Sequence, residues 1–135
     1  MPLVIDASCG LGFLLCDERD ALSTSAFTEI LNRTETFVPA HWAVEVANVL
    51  RLASPKRMSE DAVAQACEFA SGLPLQIDDE TFRRAFTDTL ALAKEHKLTV
   101  HDAAYLELAM RKGATLATKD VALAKAAKSA GVPLL

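Results

Sequence analysis

A chain of 135 residues, 51% of them hydrophobic, has material for one core and is too short for two, so a single domain over residues 1–135 is expected, with no separate cofactor-binding domain. The formal net charge of −4, from 14 basic and 18 acidic side chains, announces no basic surface for nucleic acid, although a bound cation could reverse the sign locally. Cys9, Cys16 and Cys67 are odd in number, lack metal-ligand spacing and stand among apolar residues, which reads as small buried hydrophobes in a reduced compartment and excludes a disulfide framework.

The first element is Leu3, Val4 and Ile5, a continuous apolar run of the kind that forms a strand covered on both faces, and it ends at Asp6. This apolar opening has no basic leader and is broken by Asp6, so it reads as neither signal peptide nor membrane span, and a cytoplasmic protein is expected. Ala7 and Ser8 lead to Leu11, Phe13, Leu14 and Leu15, and after a charged break at 17–20 a helix is predicted over about 21–32. Thr36, Phe37 and Val38 make a second short strand; Pro39, well tolerated at a first helical position, then opens a helix that runs to Ala53. Ser59, followed by Glu60 and Asp61, caps a helix to about Ser71, which Gly72 closes before a third strand within 73–77. A single long helix is predicted over 79–97, with Phe82, Ala85, Phe86, Leu90 and Ala93 on one face. Thr99 and Asp102 have capping-box spacing, and Ala103, Leu106, Ala109 and Met110 recur at helical period until Gly113. Thr115, Leu116 and Ala117 read as a short buried strand, residues after Asp120 as a helix ending at Gly131, and 132–135 as a last strand.

Strands alternating with helices, with no two-residue hairpin turn, indicate an α/β fold: a parallel sheet with helices on both faces and ligand sites beyond the carboxyl ends of the strands. Asp6 and Asp120 belong directly there. A helix from about Asp102 to Lys112 is roughly 15 Å long, and the strand after Gly113 covers a similar distance back, so Asp102 and Asp120 should share one end of the domain. Glu45, about five residues or roughly 8 Å into the helix opened by Pro39, lies within reach of the same edge. Each aspartate taken singly reads as an ordinary helix cap. Glu45 is harder to explain that way. It interrupts WAVEVANVL on a face with Trp42, Asn48, Val49 and Leu52, where an unpaired carboxylate would be costly or protonated and a divalent cation would stabilise it, with Asn48 one turn along to orient it.

VIDAS near the start, the EVANVL helix, LTVHDAAYLELA and the closing LATKD resemble the PIN-domain ribonucleases, in particular the VapC-type toxins of bacterial and archaeal toxin-antitoxin pairs. The resemblance implies a PIN-like parallel sheet, bound Mg²⁺ or Mn²⁺, hydrolysis of RNA, a homodimer, and a cognate antitoxin that blocks the acidic cleft. Asp6, Glu45, Asp102 and Asp120 match the acidic quartet that serves as metal ligands and catalytic residues. Thr118 matches the small hydroxyl residue two before the last acid, and Ser8 a residue close to the site. His101 stands where many relatives have Tyr and is kept off the site, and beyond Asp120 the chain has Val121, Ala122 and Ala124 where some PIN domains carry a further acid. Hard cations with oxygen ligands suit phosphodiester hydrolysis and need no side-chain nucleophile, in keeping with a sequence that lacks nucleophile–histidine and glycine-rich phosphate motifs. Lys119, beside Asp120, is the first choice for contact with the RNA backbone, ahead of Arg111, Lys112 and the basic run at 51–57, while Trp42 and Tyr105 read as core residues and not as base-stacking ones. The alternatives are an RNA-processing PIN nuclease outside a toxin pair, a non-catalytic PIN scaffold binding RNA or protein, and a receiver-type phosphoacceptor, which would need paired acids where Asp6 is followed by Ala7 and Ser8.

Overall fold

Three apolar residues suffice for each inner strand because the sheet is covered on both sides. In a computed structural model that describes residues 1–135, Leu3, Val4 and Ile5 are at most 2% exposed, so successive side chains pointing to opposite faces are all buried. The elements run β1 (Leu3–Ile5), α1 (Ala7–Leu14), α2 (Ala21–Leu31), β2 (Thr36–Val38), α3 (Trp42–Ala53), α4 (Glu60–Ser71), β3 (Leu75–Ile77), α5 (Thr81–Ala85), α6 (Asp88–His96), α7 (Val100–Lys112), β4 (Thr115–Ala117) and α8 (Val121–Ser129). All four strands are parallel in the order β3-β2-β1-β4. The chain thus steps outward from β1 to β3 and then returns to the other side of β1, which makes the space beyond β1 and β4 the point where strand order reverses. Helix α7 packs across β1, β2 and β4, and its Tyr105, Leu106 and Leu108 are among the most deeply buried side chains.

The local signals for helix ends act as the sequence indicates. Asp20 and Ser23 form a reciprocal capping box on α2, Ser59 accepts from Ala62 N on α4, and Thr99 accepts from Asp102 N on α7. Gly113 terminates α7 at φ 60°, in the left-handed region that costs glycine least.

Four expectations need correction. Helix α3 begins at Trp42, whose N–H donates to the Pro39 carbonyl at 3.1 Å across a turn, so Pro39 shapes the exit from β2 and Glu45 lies in the helix's first turn. The predicted helix over 79–97 is broken between α5 and α6, with Thr87 at φ −125°, ψ −98°. The break lets α6 lie along α7 and bury Thr89 and Ala93, while Phe82 (81% exposed) and Phe86 (71% exposed) face solvent and meet edge to face at 5.7 Å. The apolar face expected to be shared is therefore divided. Residues 132–135 make only a single bridge, Leu134 to Leu116, because Pro133 has no N–H with which to extend a ladder. All three cysteines are free, but only Cys9 is buried; Cys16 and Cys67 are exposed.

A buried ion cluster fixes the end of β3 to α7. Arg111 donates to both oxygens of Asp78, at 3.0 and 2.8 Å, to Glu107 at 2.8 and 3.1 Å, and to Glu80 at 3.3 Å. Asp78 is 6% exposed and Glu107 5%. Burial alone would raise the Asp78 carboxyl, but the hydrogen bonds from Arg111 and Thr81 outweigh it and hold the group below its ordinary value. A carboxyl with a depressed folded pKa contributes stability above the unfolded value near 3.9 and loses it as pH falls through the folded value. Asp78→Asn should therefore lower stability by about 3 kcal/mol at neutral pH, as expected for a broken buried pair. In melts recorded across pH, the gap from wild type should close in acid below that range; a gap that stays constant into strong acid would mean the ion pair is not its source.

Candidate active site

The site begins with a carboxylate that the fold places out of water. Asp6 follows β1 directly, its N–H donating to the Ala117 carbonyl of β4 at 3.2 Å, and it is 4% exposed. Its side chain caps α1 by accepting from Cys9 N at 2.8 Å, and Ser8 Oγ donates to its two oxygens at 2.7 and 2.9 Å. Thr118 Oγ1 also donates to it. The two hydroxyls are themselves held by the chain leaving β4: Lys119 N donates to Ser8 Oγ at 2.9 Å and Asp120 N to Thr118 Oγ1 at 3.0 Å. Trp42 Nε1 donates to the Asp6 carbonyl at 3.2 Å, bringing α3 to the same place. Burial raises the Asp6 carboxyl above its ordinary value, the bonds from Thr118, Cys9 and Ser8 oppose this, and the charge of Asp120 adds to it.

The other acids come from separate helices. Asp120 caps α8 through Leu123 N at 2.8 Å. Asp102 lies in the first turn of α7, past the Thr99 cap, so it is not itself a cap and its side chain forms no ion pair. Glu45, in the first turn of α3, accepts from the Tyr105 hydroxyl at 2.6 Å and meets His41 Nε2 at 3.3 Å. Together Asp6, Ser8, Glu45, Asn48, Asp102 and Asp120 line one cleft of about 320 Å³, whose apolar wall includes Leu11 and Val49. Thr118 stands behind it, bonded to Asp6. The four acids, Ser8 and Asn48 thus share a single space.

They do not converge on one point. No three of the acidic, histidine or cysteine side chains are grouped closely enough, as oriented, to hold an ion together. The reason is visible in their partners: Asp6 is turned to its hydroxyls, Asp120 to a helix N–H and Glu45 to Tyr105. The donor set nevertheless fits a hard dication. Lysine and arginine pair with none of the four, the donors are all oxygen, and the nearest basic side chain to Glu45 is the His41 imidazole.

Lys119 does not line the cleft. Its ammonium lies 2.9 Å from the Glu18 carbonyl and 3.3 Å from Asp20, with the side chain over Gly12, where an added Cβ would come within 2.8 Å of it. Arg111 belongs to the Asp78 cluster, Lys112 lies over the Phe37 ring and Arg57 is held by Asp17 and Glu18. Trp42 and Tyr105 are core residues, 4% and 1% exposed. Tyr105 is more than that, however, because its hydroxyl reaches the cleft; the available signal was its place three residues after Asp102, on the same side of α7.

A parallel α/β sheet with an acid-lined cleft at its switch point defines a class, and the comparisons name it: the PIN domain pattern matches residues 3–129, and the chain belongs to the PIN-domain family. It is 30% identical over 126 residues to Ribonuclease VapC3 of Pyrobaculum aerophilum, spanning 93% of this chain and 94% of that protein. Among solved structures, PAE2754 from Pyrobaculum aerophilum superposes with a TM-score of 0.68 at 20% identity, covering 93% of this chain and 84% of the other. VapC20 of Mycobacterium tuberculosis, described as a sarcin-ricin loop cleaving toxin, gives 0.59 at 16% identity, covering 92% and 94%. At those identities the two structures establish the fold.

The geometry of Glu45 is testable through its partner, since Tyr105 is the one tyrosine in the chain. Burial, then the hydrogen bond to Glu45 and its charge, push the phenol well above its ordinary value. A raised folded pKa contributes stability below the unfolded value, about 10, and loses it as pH rises. In metal-free protein the near-ultraviolet phenolate band should stay absent through pH ~10 and appear only as far-UV circular dichroism is lost. Half-ionisation near pH ~10 in a folded protein would contradict the buried phenol–carboxylate contact.

Proposed function

We propose that this protein is a Mg²⁺- or Mn²⁺-dependent endoribonuclease of the VapC type, with residues 1–135 acting as one PIN unit. In this reading it is the toxin of a toxin-antitoxin pair, a cytoplasmic homodimer restrained by its cognate antitoxin. The observation that carries the reading is the cleft in which four carboxylates, with Asn48, meet no lysine or arginine. The 30% identity to a protein named Ribonuclease VapC3 over nearly its full length supports it. No helix is long and apolar enough to cross a membrane.

Asp6, Glu45, Asp102 and Asp120 would hold the cation. When bound, it supplies a water of lowered pKa and neutralises charge on the scissile phosphate and the leaving oxygen. The chain's part is placement. Ser8 and Thr118 fix the Asp6 carboxylate through their hydroxyls, and the α8 N-terminus fixes one oxygen of Asp120 while leaving Oδ2 without a protein partner. Asn48, on the cleft wall one turn after Glu45, offers an amide to a carboxylate or a phosphate oxygen. Lys119 would contact substrate only by leaving Asp20 and the Glu18 carbonyl, whereas Arg51, one turn beyond Asn48, has no ion pair to break.

Purified protein free of antitoxin should cleave RNA in Mg²⁺ or Mn²⁺, leave 5′-phosphate ends and stop with EDTA. Asp120→Asn, which can still cap α8, should lose cleavage with unchanged far-UV circular dichroism. Cleavage that persists fully in EDTA would remove the metal mechanism. A stability measurement gives independent access to the same site. Asp102 makes no capping bond, so Asp102→Asn should alter the stability of the metal-free protein by less than about 1 kcal/mol. Mn²⁺ at 100 times its dissociation constant should add about 2.7 kcal/mol to the wild type. Thermal melts should show that gain shrinking in the variant; an equal Mn²⁺ shift in both proteins would take Asp102 out of the ligand set.

A further inference from the structure

The Tyr105 hydroxyl is an isolated polar group on a helix face that otherwise serves the core. Its side chain is 1% exposed, and it donates at 2.6 Å to Glu45 Oε1, sixty positions away on the opposite wall of the cleft. A buried phenol ordinarily finds some acceptor, and a backbone carbonyl would serve. Here the acceptor is a cleft carboxylate, and the same oxygen is met a second time, by His41 Nε2 at 3.3 Å. That imidazole nitrogen is also 3.0 Å from the His101 carbonyl in the first turn of α7, so the start of α3 is tied twice to the helix that bears Asp102. Both contacts fall on Oε1, and Oε2 has no partner within the protein. One oxygen is held and the other is left without a protein partner, on a side chain that lines the same cleft as Asp6, Asp102 and Asp120.

We propose that Tyr105 is a positioning residue: by holding Oε1 of Glu45 it fixes the orientation of a carboxylate that would serve as a ligand for the cation. The inference rests on the metal-dependent reading of the cleft. Glu45 is 32% exposed, so without the phenol its three side-chain torsions are free to carry the carboxylate toward solvent. Groups that orient a ligand in this way change metal affinity by roughly 10–100-fold when removed.

Tyr105→Phe keeps the ring and deletes only the hydroxyl, and it orphans no buried charge because Glu45 still reaches water. Titration of metal-free protein with Mn²⁺, followed by electron paramagnetic resonance, should show an affinity at least tenfold weaker in the variant. In RNA cleavage at limiting Mn²⁺, kcat should fall and recover as Mn²⁺ is raised, with KM for RNA unchanged. In a Glu45→Gln background, Tyr105→Phe should weaken Mn²⁺ binding no further, because its effect passes through that carboxylate. A variant that loses thermal stability but binds Mn²⁺ like wild type, or losses that multiply in the double variant, would overturn the proposal. The wild type offers a measurement that needs no folded Tyr105→Phe: the ¹³Cζ resonance of this one tyrosine should shift on Mg²⁺ addition and stay fixed in Glu45→Gln. An unmoved resonance in a wild type that binds the ion removes the role of Tyr105 alone, whereas a wild type that binds no Mn²⁺ removes the metal reading and this inference with it.

Discussion

A carboxylate that is 4% exposed, with no cation beside it, is the constraint around which this fold closes. Leaving such a group unsolvated would cost several kcal/mol, so Asp6 persists only if the protein replaces the lost water with donors. The replacements come from distinct parts of the chain. Cys9 N and Ser8 belong to α1 and Thr118 to the end of β4, while Trp42 of α3 binds the Asp6 carbonyl. The contacts that satisfy Asp6 therefore also join β1 to β4 and seat two helices over their ends. Site and fold share one set of hydrogen bonds, which is why a residue of the cleft can be as buried as the core.

The contrast with the Arg111 cluster sharpens this point. Asp78 and Glu107 are buried to a similar degree, yet a guanidinium with five donors lies between them and closes the charge internally. That cluster is finished without a ligand. The cleft acids receive hydroxyls, amide N–H groups and a phenol, which stabilise charge without cancelling it. Several basic side chains are engaged elsewhere, Lys119 with Asp20, Arg57 with Asp17 and Glu18, Lys112 with the Phe37 ring, and Arg51, which has no ion pair, is not among the residues lining the cleft. The net charge of −4 conveys none of this, because it counts closed and open groups alike.

Features governed by short-range chemistry were legible in the sequence. Short, largely apolar runs located β1, β2 and β4, Ser59 and Thr99 located helix starts, Gly113 a helix end, and strand–helix alternation brought four acids to one edge. What depended on tertiary geometry was not legible. Periodicity over 79–97 could not show that α6 would follow α7 while α5 stayed near Asp78, so Phe82 and Phe86 appeared to share a buried direction with Ala93. Apolar neighbours placed Cys16 and Cys67 in the core although the helix surface carrying Cys67 and the turn carrying Cys16 face outward. The Tyr105 ring reads as core, and its place three residues after Asp102 points its hydroxyl toward the site without revealing the partner, which is sixty residues away.

Reading each aspartate as either a helix cap or a site residue posed a choice that a carboxylate does not have to make. Asp120 accepts from Leu123 N through Oδ1 and keeps Oδ2 free of protein partners, and Asp6 caps α1 while lining the cleft. All four acids in fact occupy helix beginnings: Asp6 and Asp120 as caps of α1 and α8, Glu45 and Asp102 in the first turns of α3 and α7. Each helix N-terminus favours a nearby anion by roughly 0.3–1 kcal/mol. Like charges that line one cleft repel one another in turn. Four helix N-termini thus offset part of the repulsion and leave the rest, so the cleft presents an excess of acidic groups over donors that could cancel them. Helix starts are the means by which the fold holds the four acids in place, two as caps and two in first turns, and the absence of a lysine or arginine partner is what would leave them to a divalent cation.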